Sequence, residues 1–107
     1  MKLLLIAVLT ALLLISSNAS ANDPNTAHGF YCHDLIRLAS ETYIQRQRGL
    51  SKETLMQVAM TAADQHNITR DQRFGSALMV EYAFQVPRTG AQQQIVRDIS
   101  HYCRITP

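Results

Sequence analysis

Two short segments of the chain hold the side chains best suited to chemistry. In Cys32-His33-Asp34 a thiol, an imidazole and a carboxylate are adjacent, and near the C-terminus His101 and Cys103 are two residues apart. Nucleophilic catalysis needs such groups in mutual contact. Adjacent residues of a helix point about 100° apart, so the first three cannot form a relay among themselves. The sequence therefore predicts no catalytic residues and a protein that is not an enzyme.

The same cysteines and histidines also have the chemistry of zinc ligands. Two ligands reach one tetrahedral ion when they are spaced as in C-x2-C or H-x3-H motifs. Neither Cys32-His33 nor His101-Cys103 has that spacing. We therefore predict no metal and no cofactor, and we keep a surface metal site at His33 and His101 as the alternative.

The N-terminal segment has the three parts of a secretory signal peptide. Lys2 supplies a positive charge, residues 3–15 form an apolar run, and Ala19-Ser20-Ala21 provides the small residues that signal peptidase needs. The apolar run is shorter than the about 20 residues of a membrane span. We predict that residues 1–21 are a signal peptide cleaved after Ala21, which makes the protein periplasmic or secreted, with no membrane attachment after cleavage. The alternatives are an uncleaved anchor or cleavage after Ala19.

Cys32 and Cys103 are the only cysteines, and they lie near the two ends of the mature chain. An even number of cysteines in an exported protein predicts a disulfide. Closing so long a loop stabilises a fold by about 4 kcal/mol in the chain-entropy model. If the two residues are joined, their Cα atoms should lie about 4.4–6.8 Å apart, on neighbouring antiparallel helices.

The elements that position these residues are helices. Residues 22–29 show no apolar periodicity and are predicted to be a flexible tail, whereas residues 30–107 form a helical domain. Four segments with helical spacing follow: Phe30 to a stop at Gly49, Ser51 to Asn67, Thr69 to Pro87, and a last helix carrying Ile95 to Cys103. No run alternates with period two, and no Asn-Gly or Asp-Gly hairpin turn is present.

The helix count agrees with the cysteine positions. In an up-down bundle with an even number of helices, the start of the first and the end of the last lie at the same end. Cys32 and Cys103 occupy those two places. The predicted fold is therefore all-α: a four-helix up-down bundle closed by one disulfide between the first and last helices.

Charge and composition exclude nucleic acid as a partner. Without Lys2, nine basic residues face eight acidic ones, so the mature chain has a net charge of +1. Eight of the nine are arginines, which favour paired contacts, and the chain has more aromatic residues than a small core needs. We predict that the partner is another protein, with Tyr82, Phe84 and Arg88 as the candidate surface. The oligomeric state is left open.

Four histidines suggest an alternative function. His28, His33, His66 and His101 would gain charge on mild acidification, because histidine titrates near pH 6.5. The structural interpretation is that His66 ends a helix and that the other three face solvent.

The whole mature chain resembles small exported bacterial proteins of unknown function. The pattern is a signal peptide, a cysteine in the first helix, an Arg-Gly-Leu-Ser helical hairpin at residues 48–51, a third helix ending at Pro87 and a cysteine in the last helix. In size, helicity and single bridge it is also similar to the periplasmic acid-stress chaperones of the HdeA and HdeB type, although the cysteines here are farther apart. The sequence predicts a small exported non-enzymatic protein, a periplasmic protein-binding module that includes the immunity or inhibitor type. The alternative is an acid-responsive periplasmic chaperone.

Overall fold

The computed structural model describes residues 26–105, so the predicted signal peptide lies outside the described residues. Four helices account for most of the described chain, which confirms a predominantly helical fold. The elements are β1 (Thr26–Ala27), β2 (Phe30–Tyr31), α1 (Cys32–Gln47), α2 (Lys52–Gln65), α3 (Arg70–Ala83) and α4 (Ala91–Ile105). None of these helices is long and apolar enough to cross a membrane.

Two helices begin at the residues that the sequence indicated. The Ser51 hydroxyl accepts a hydrogen bond of 3.1 Å from the Thr54 amide at the start of α2. Thr69 and Gln72 form a reciprocal capping box at the start of α3. These side chains satisfy amide groups that the first helical turn leaves without partners. The chain between α2 and α3 reverses at Asn67, whose φ of +51° is left-handed.

A short hairpin replaces part of the predicted flexible tail. Residues 22–25 lie outside the described residues, but β1 pairs with β2 in antiparallel fashion, with Ala27 opposite Phe30. The two loop residues have positive φ, 55° at His28 and 77° at Gly29. A two-residue type I′ turn requires positive φ at both positions, and histidine enters this region more readily than most residues. The His28-Gly29 pair therefore forms a hairpin turn that is more often formed by Asn-Gly or Asp-Gly.

Of the helix pairs adjacent in sequence, α2 and α3 pack extensively, whereas α1 and α2 share only a small interface. The most extensive interface joins α1 to α3, and α4 packs on α1 while α2 packs on α3. The predicted up-down bundle is therefore not confirmed. On α3 the buried face contains the small residues Gly75, Ser76 and Ala83, which allow close approach of another element. Arg46 of α1 donates hydrogen bonds to the carbonyl groups of Ala83 and Val86, so α1 and α3 end at the same level.

The predicted disulfide is confirmed. Cys32, the first residue of α1, is bonded to Cys103 near the end of α4, with the Cα atoms 6.2 Å apart. At the opposite end of α1 the Tyr43 hydroxyl donates to the carbonyl of Arg88, just before α4 begins. The two helices are therefore antiparallel neighbours, as the sequence indicated. The apolar core around them includes Phe30, Leu35, Leu38, Leu55, Val80, Ile95 and Ile99.

Candidate functional site

His28 brings together the hairpin, α3 and α4. Its Nδ1 lies 2.9 Å from the Asp71 carboxylate at the start of α3, and its Nε2 is hydrogen-bonded to the Tyr102 hydroxyl near the end of α4. An ionised carboxylate can only accept, so Nδ1 carries the proton and Nε2 accepts from the hydroxyl in the neutral imidazole. The result is a carboxylate–imidazole–hydroxyl array that joins residues distant in sequence.

Unlike Cys32-His33-Asp34, the three residues of this array are far apart in sequence and in contact in the fold. Its imidazole is mostly buried: the His28 side chain is 13% exposed. The ring contacts Phe74 edge-on at 5.3 Å and stacks on Tyr102 at 5.7 Å. A Cβ on Gly75 would lie only 2.8 Å from the His28 Cβ, so the hairpin turn rests on a helix position that lacks a side chain. Chemically the array can orient the Tyr102 hydroxyl, and structurally it holds the hairpin against two helices.

Gln72 supplies the second connection between the hairpin and α3. Its Nε2 donates to the Gly29 carbonyl at 3.1 Å, while its Oε1 accepts from the Thr69 amide at the same distance. The side chain is buried, at 2% exposure. One amide therefore caps a helix and fixes the turn of a hairpin more than forty residues earlier in the chain.

A mainly apolar cleft of about 280 Å³ lies between α3 and α4. It is lined by Leu78, Met79, Tyr82, Asp98, Ile99 and Tyr102. On the α3 side Phe74, Leu78 and Tyr82 are spaced by four residues and so share one face of the helix. Phe74 extends this face beyond the cleft and is 56% exposed. The His28 array and the cleft meet at Tyr102.

Asp98 is the charged group of the cleft. Its Oδ2 accepts a hydrogen bond of 2.7 Å from the Tyr82 hydroxyl, and its Oδ1 accepts one of 2.8 Å from the Gln94 side-chain amide. The bonds from Gln94 and Tyr82 hold the pKa of the Asp98 carboxyl below its ordinary value. Burial and the adjacent carboxylate raise the pKa of the Tyr82 hydroxyl. The carboxylate is thus ionised and the phenol neutral at physiological pH.

A second cleft, of about 420 Å³, lies between α2 and α3 and has a different character. Its lining residues are Lys52, Glu53, Met56, Gln57, Met60 and Glu81. Lys52 and Glu81 form an ion pair at 3.2 Å across it. Its charges are therefore partly neutralised within the protein, and the side chains that line it include no aromatic residue.

The three residues predicted as a surface, Tyr82, Phe84 and Arg88, have different environments. Tyr82 lies in the α3/α4 cleft. The Phe84 ring lies under the guanidinium of Arg46, with 5.9 Å between the Arg46 Cζ and the centroid of the ring. Arg88 is exposed in the loop before α4. The recurrence of Phe74, Leu78 and Tyr82 at every fourth residue was the sequence signal for the cleft, but core packing gives the same pattern.

The candidate metal residues His33 and His101 are both exposed on the surface. His33 is 70% exposed beside Asp34 and stacks on Tyr31, and His101 is exposed on α4. Both thiols are used in the disulfide. Over residues 26–105 there is no group of three or more His, Cys, Asp or Glu side chains that could hold a metal ion.

Comparison of the chain with protein-family models, with curated proteins and with solved structures found no match.

Proposed function

We propose that this chain is exported by its signal peptide, is cleaved after Ala21 and works in the periplasm as a non-enzymatic protein that binds another protein. The observation that carries the proposal is the apolar cleft between α3 and α4, extended by the exposed ring of Phe74. Exposed apolar surface rimmed by polar groups is typical of protein interaction sites.

The surface around the cleft contains aromatic and apolar side chains of the kind found in protein interfaces. Tyr82 and Tyr102 present aromatic rings in it, and aromatic side chains are enriched among the residues that dominate binding energy. On α4 Ile105, three residues after Tyr102, is 64% exposed and is a further apolar side chain near the end of the helix. A partner segment lying along the cleft would cover these side chains together.

The scaffold beneath this surface is held in place by bonds at one end of the molecule. The disulfide fixes the start of α1 to the end of α4, and the His28 array joins α3 to α4. A surface ordered before binding loses less conformational entropy on association. This preorganisation supports a dedicated binder with one partner, as in an immunity or inhibitor protein.

Affinity capture with a cleft variant tests the proposal. The mature protein, beginning at Asn22 and tagged at its C-terminus, is incubated with periplasmic extract as wild type, as Leu78→Asp and as Met56→Asp. Met56 lies in the second cleft and is a matched apolar control. We expect one protein to be retained by wild type and Met56→Asp but lost with Leu78→Asp, whose helical circular dichroism is checked first. Equal retention by all three, or no retained protein, would contradict the proposal.

A further inference from the structure

Asp98 is a carboxylate at the edge of the apolar cleft. Hydrogen bonds lower its pKa, and the neighbouring Arg97 and His101 lower it further electrostatically without forming an ion pair with it. Its two hydrogen-bond donors, Tyr82 and Gln94, are both neutral. Within residues 26–105 it forms no ion pair, and the nearby Arg97 guanidinium donates instead to the Gln94 side chain at 2.9 Å. Each carboxylate oxygen accepts one hydrogen bond and can accept another. The cleft therefore presents an ionised acceptor with free bonding capacity.

The other walls of the cleft suit the flat face and the apolar stem of a long cation. Tyr82 and Tyr102 supply phenol rings, over which a guanidinium is attracted by the ring quadrupole. Leu78 and Ile99 supply apolar surface for methylene groups. At about 280 Å³ the cleft is at the lower limit of ligand pockets, which range from about 300 to 1,000 Å³. It therefore suits one long side chain.

We propose that the cleft receives an arginine side chain of the partner protein, with its guanidinium on Asp98 and its stem between Leu78 and Ile99. This inference rests on the proposed function and names the chemistry of the partner. Arginine fits better than lysine because a planar guanidinium can bond both carboxylate oxygens and stack on an aromatic ring at the same time. The Asp98 carboxylate supplies the complementary charge.

Two peptides that differ in one charge test the proposal. The probes are acetyl-Ala-Leu-Arg-Leu-Ala-amide and the same peptide with citrulline, the neutral isostere, in place of arginine. Each is titrated into isotopically labelled mature protein, and the amide signals of residues 78–82 and 98–102 are followed by NMR. We expect the arginine peptide to shift these signals and to bind about fivefold more tightly than the citrulline peptide. A difference of this order corresponds to the interaction energy of an exposed ion pair with a cation–π contact.

Two variants assign the difference to Asp98. In Asp98→Asn the two peptides should bind with about equal affinity, because the neutral amide keeps the shape of the carboxylate and loses its charge. In Glu53→Gln, which removes a carboxylate from the second cleft, the advantage should be unchanged. The NMR spectrum of each variant reports whether its fold is retained, and the comparison of the two peptides on wild type needs no variant.

The outcomes separate this inference from the proposed function. Equal binding of both peptides at the cleft overturns the arginine assignment and leaves an apolar docking surface. No shift at the cleft with either peptide also overturns it, and the capture experiment with Leu78→Asp then decides the proposed function independently. An arginine advantage that persists in Asp98→Asn overturns the role given to Asp98.

Discussion

Gln45 is a buried polar residue whose hydrogen bonds are not satisfied within the described chain. It is fully buried on α1, and neither atom of its side-chain amide has a partner among residues 26–105. Thr42, one turn earlier, is equally buried, but its hydroxyl donates to the Leu38 carbonyl at 2.8 Å. A buried group without a partner costs about 1–3 kcal/mol, whereas a satisfied one does not.

Gln45→Met should therefore stabilise the protein. Methionine has a similar length and no strong hydrogen-bonding group, so it removes the desolvation cost without leaving a cavity. We expect the free energy of unfolding to rise by about 1–2 kcal/mol in urea titrations. Thr42→Val is the matched control and should give no comparable gain. A loss of stability in Gln45→Met would contradict this prediction and would show that the Gln45 amide is hydrogen-bonded in the folded protein.

The second prediction at this scale concerns Asp98 and pH. Because hydrogen bonds from Gln94 and Tyr82 lower its folded-state pKa below the ordinary value of 3.8, the folded protein binds this proton less readily than the unfolded chain does. The associated stability is therefore fully present above about pH 4 and is lost as the pH falls through the folded-state pKa. We expect Asp98→Asn to reduce the loss of stability between pH 5 and pH 2.5. An unchanged pH profile in the variant would contradict the assignment.

At the scale of elements, the sequence predicted the helices better than their packing. The disulfide, the N-caps Ser51 and Thr69 and the number of helices could be predicted, because each depends on local sequence or on a simple count. The preference of α1 for α3 could not, because the spacing of apolar residues along each helix does not determine which two helices meet. The α3/α4 cleft could not be predicted for the same reason. The hairpin could not be predicted because its turn is formed by His28 and Gly29 and not by one of the common Asn-Gly or Asp-Gly pairs.

The contact between the hairpin and α3 can be tested by a double-mutant cycle. Gly75→Ala introduces a Cβ that would lie 2.8 Å from the His28 Cβ, so we expect a loss of about 1–3 kcal/mol of stability despite the better helix propensity of alanine. In a His28→Gly background that Cβ is absent, and glycine accepts the positive φ of the turn. There Gly75→Ala should be neutral or should stabilise by up to about 1 kcal/mol. Equal effects in both backgrounds would show that the turn does not rest on Gly75.

At the scale of the whole molecule, the fold is closed by the Cys32–Cys103 bridge, whose residues are 71 positions apart. Closing a loop of this length is expected to stabilise the folded protein by about 4 kcal/mol, because the bridge reduces the conformational entropy of the unfolded chain. The bridge and the His28 array lie at the same end, because Tyr102 precedes Cys103 on α4. That end also holds one end of the α3/α4 cleft, so the bridge supports the surface that is proposed to bind.

Removal of the bridge should therefore reduce stability more than it reduces helix content. For Cys32→Ser with Cys103→Ser we expect a loss of about 2–5 kcal/mol in urea titrations at pH 7. The circular dichroism at low temperature should stay helical, since α1 and α4 retain their apolar contacts. Equal stability of the double variant and wild type would mean that the bridge does not constrain the unfolded chain.

Site-specific photo-crosslinking in intact cells can show whether the α3/α4 cleft binds another protein. The photoreactive residue p-benzoylphenylalanine replaces Phe74, which is 56% exposed beside the cleft, or Ile44, which is 40% exposed on α1. After irradiation, we expect one discrete cross-linked species in the periplasm from position 74 and none from position 44. No species from either position, or the same species from both, would contradict binding of a partner protein at the cleft.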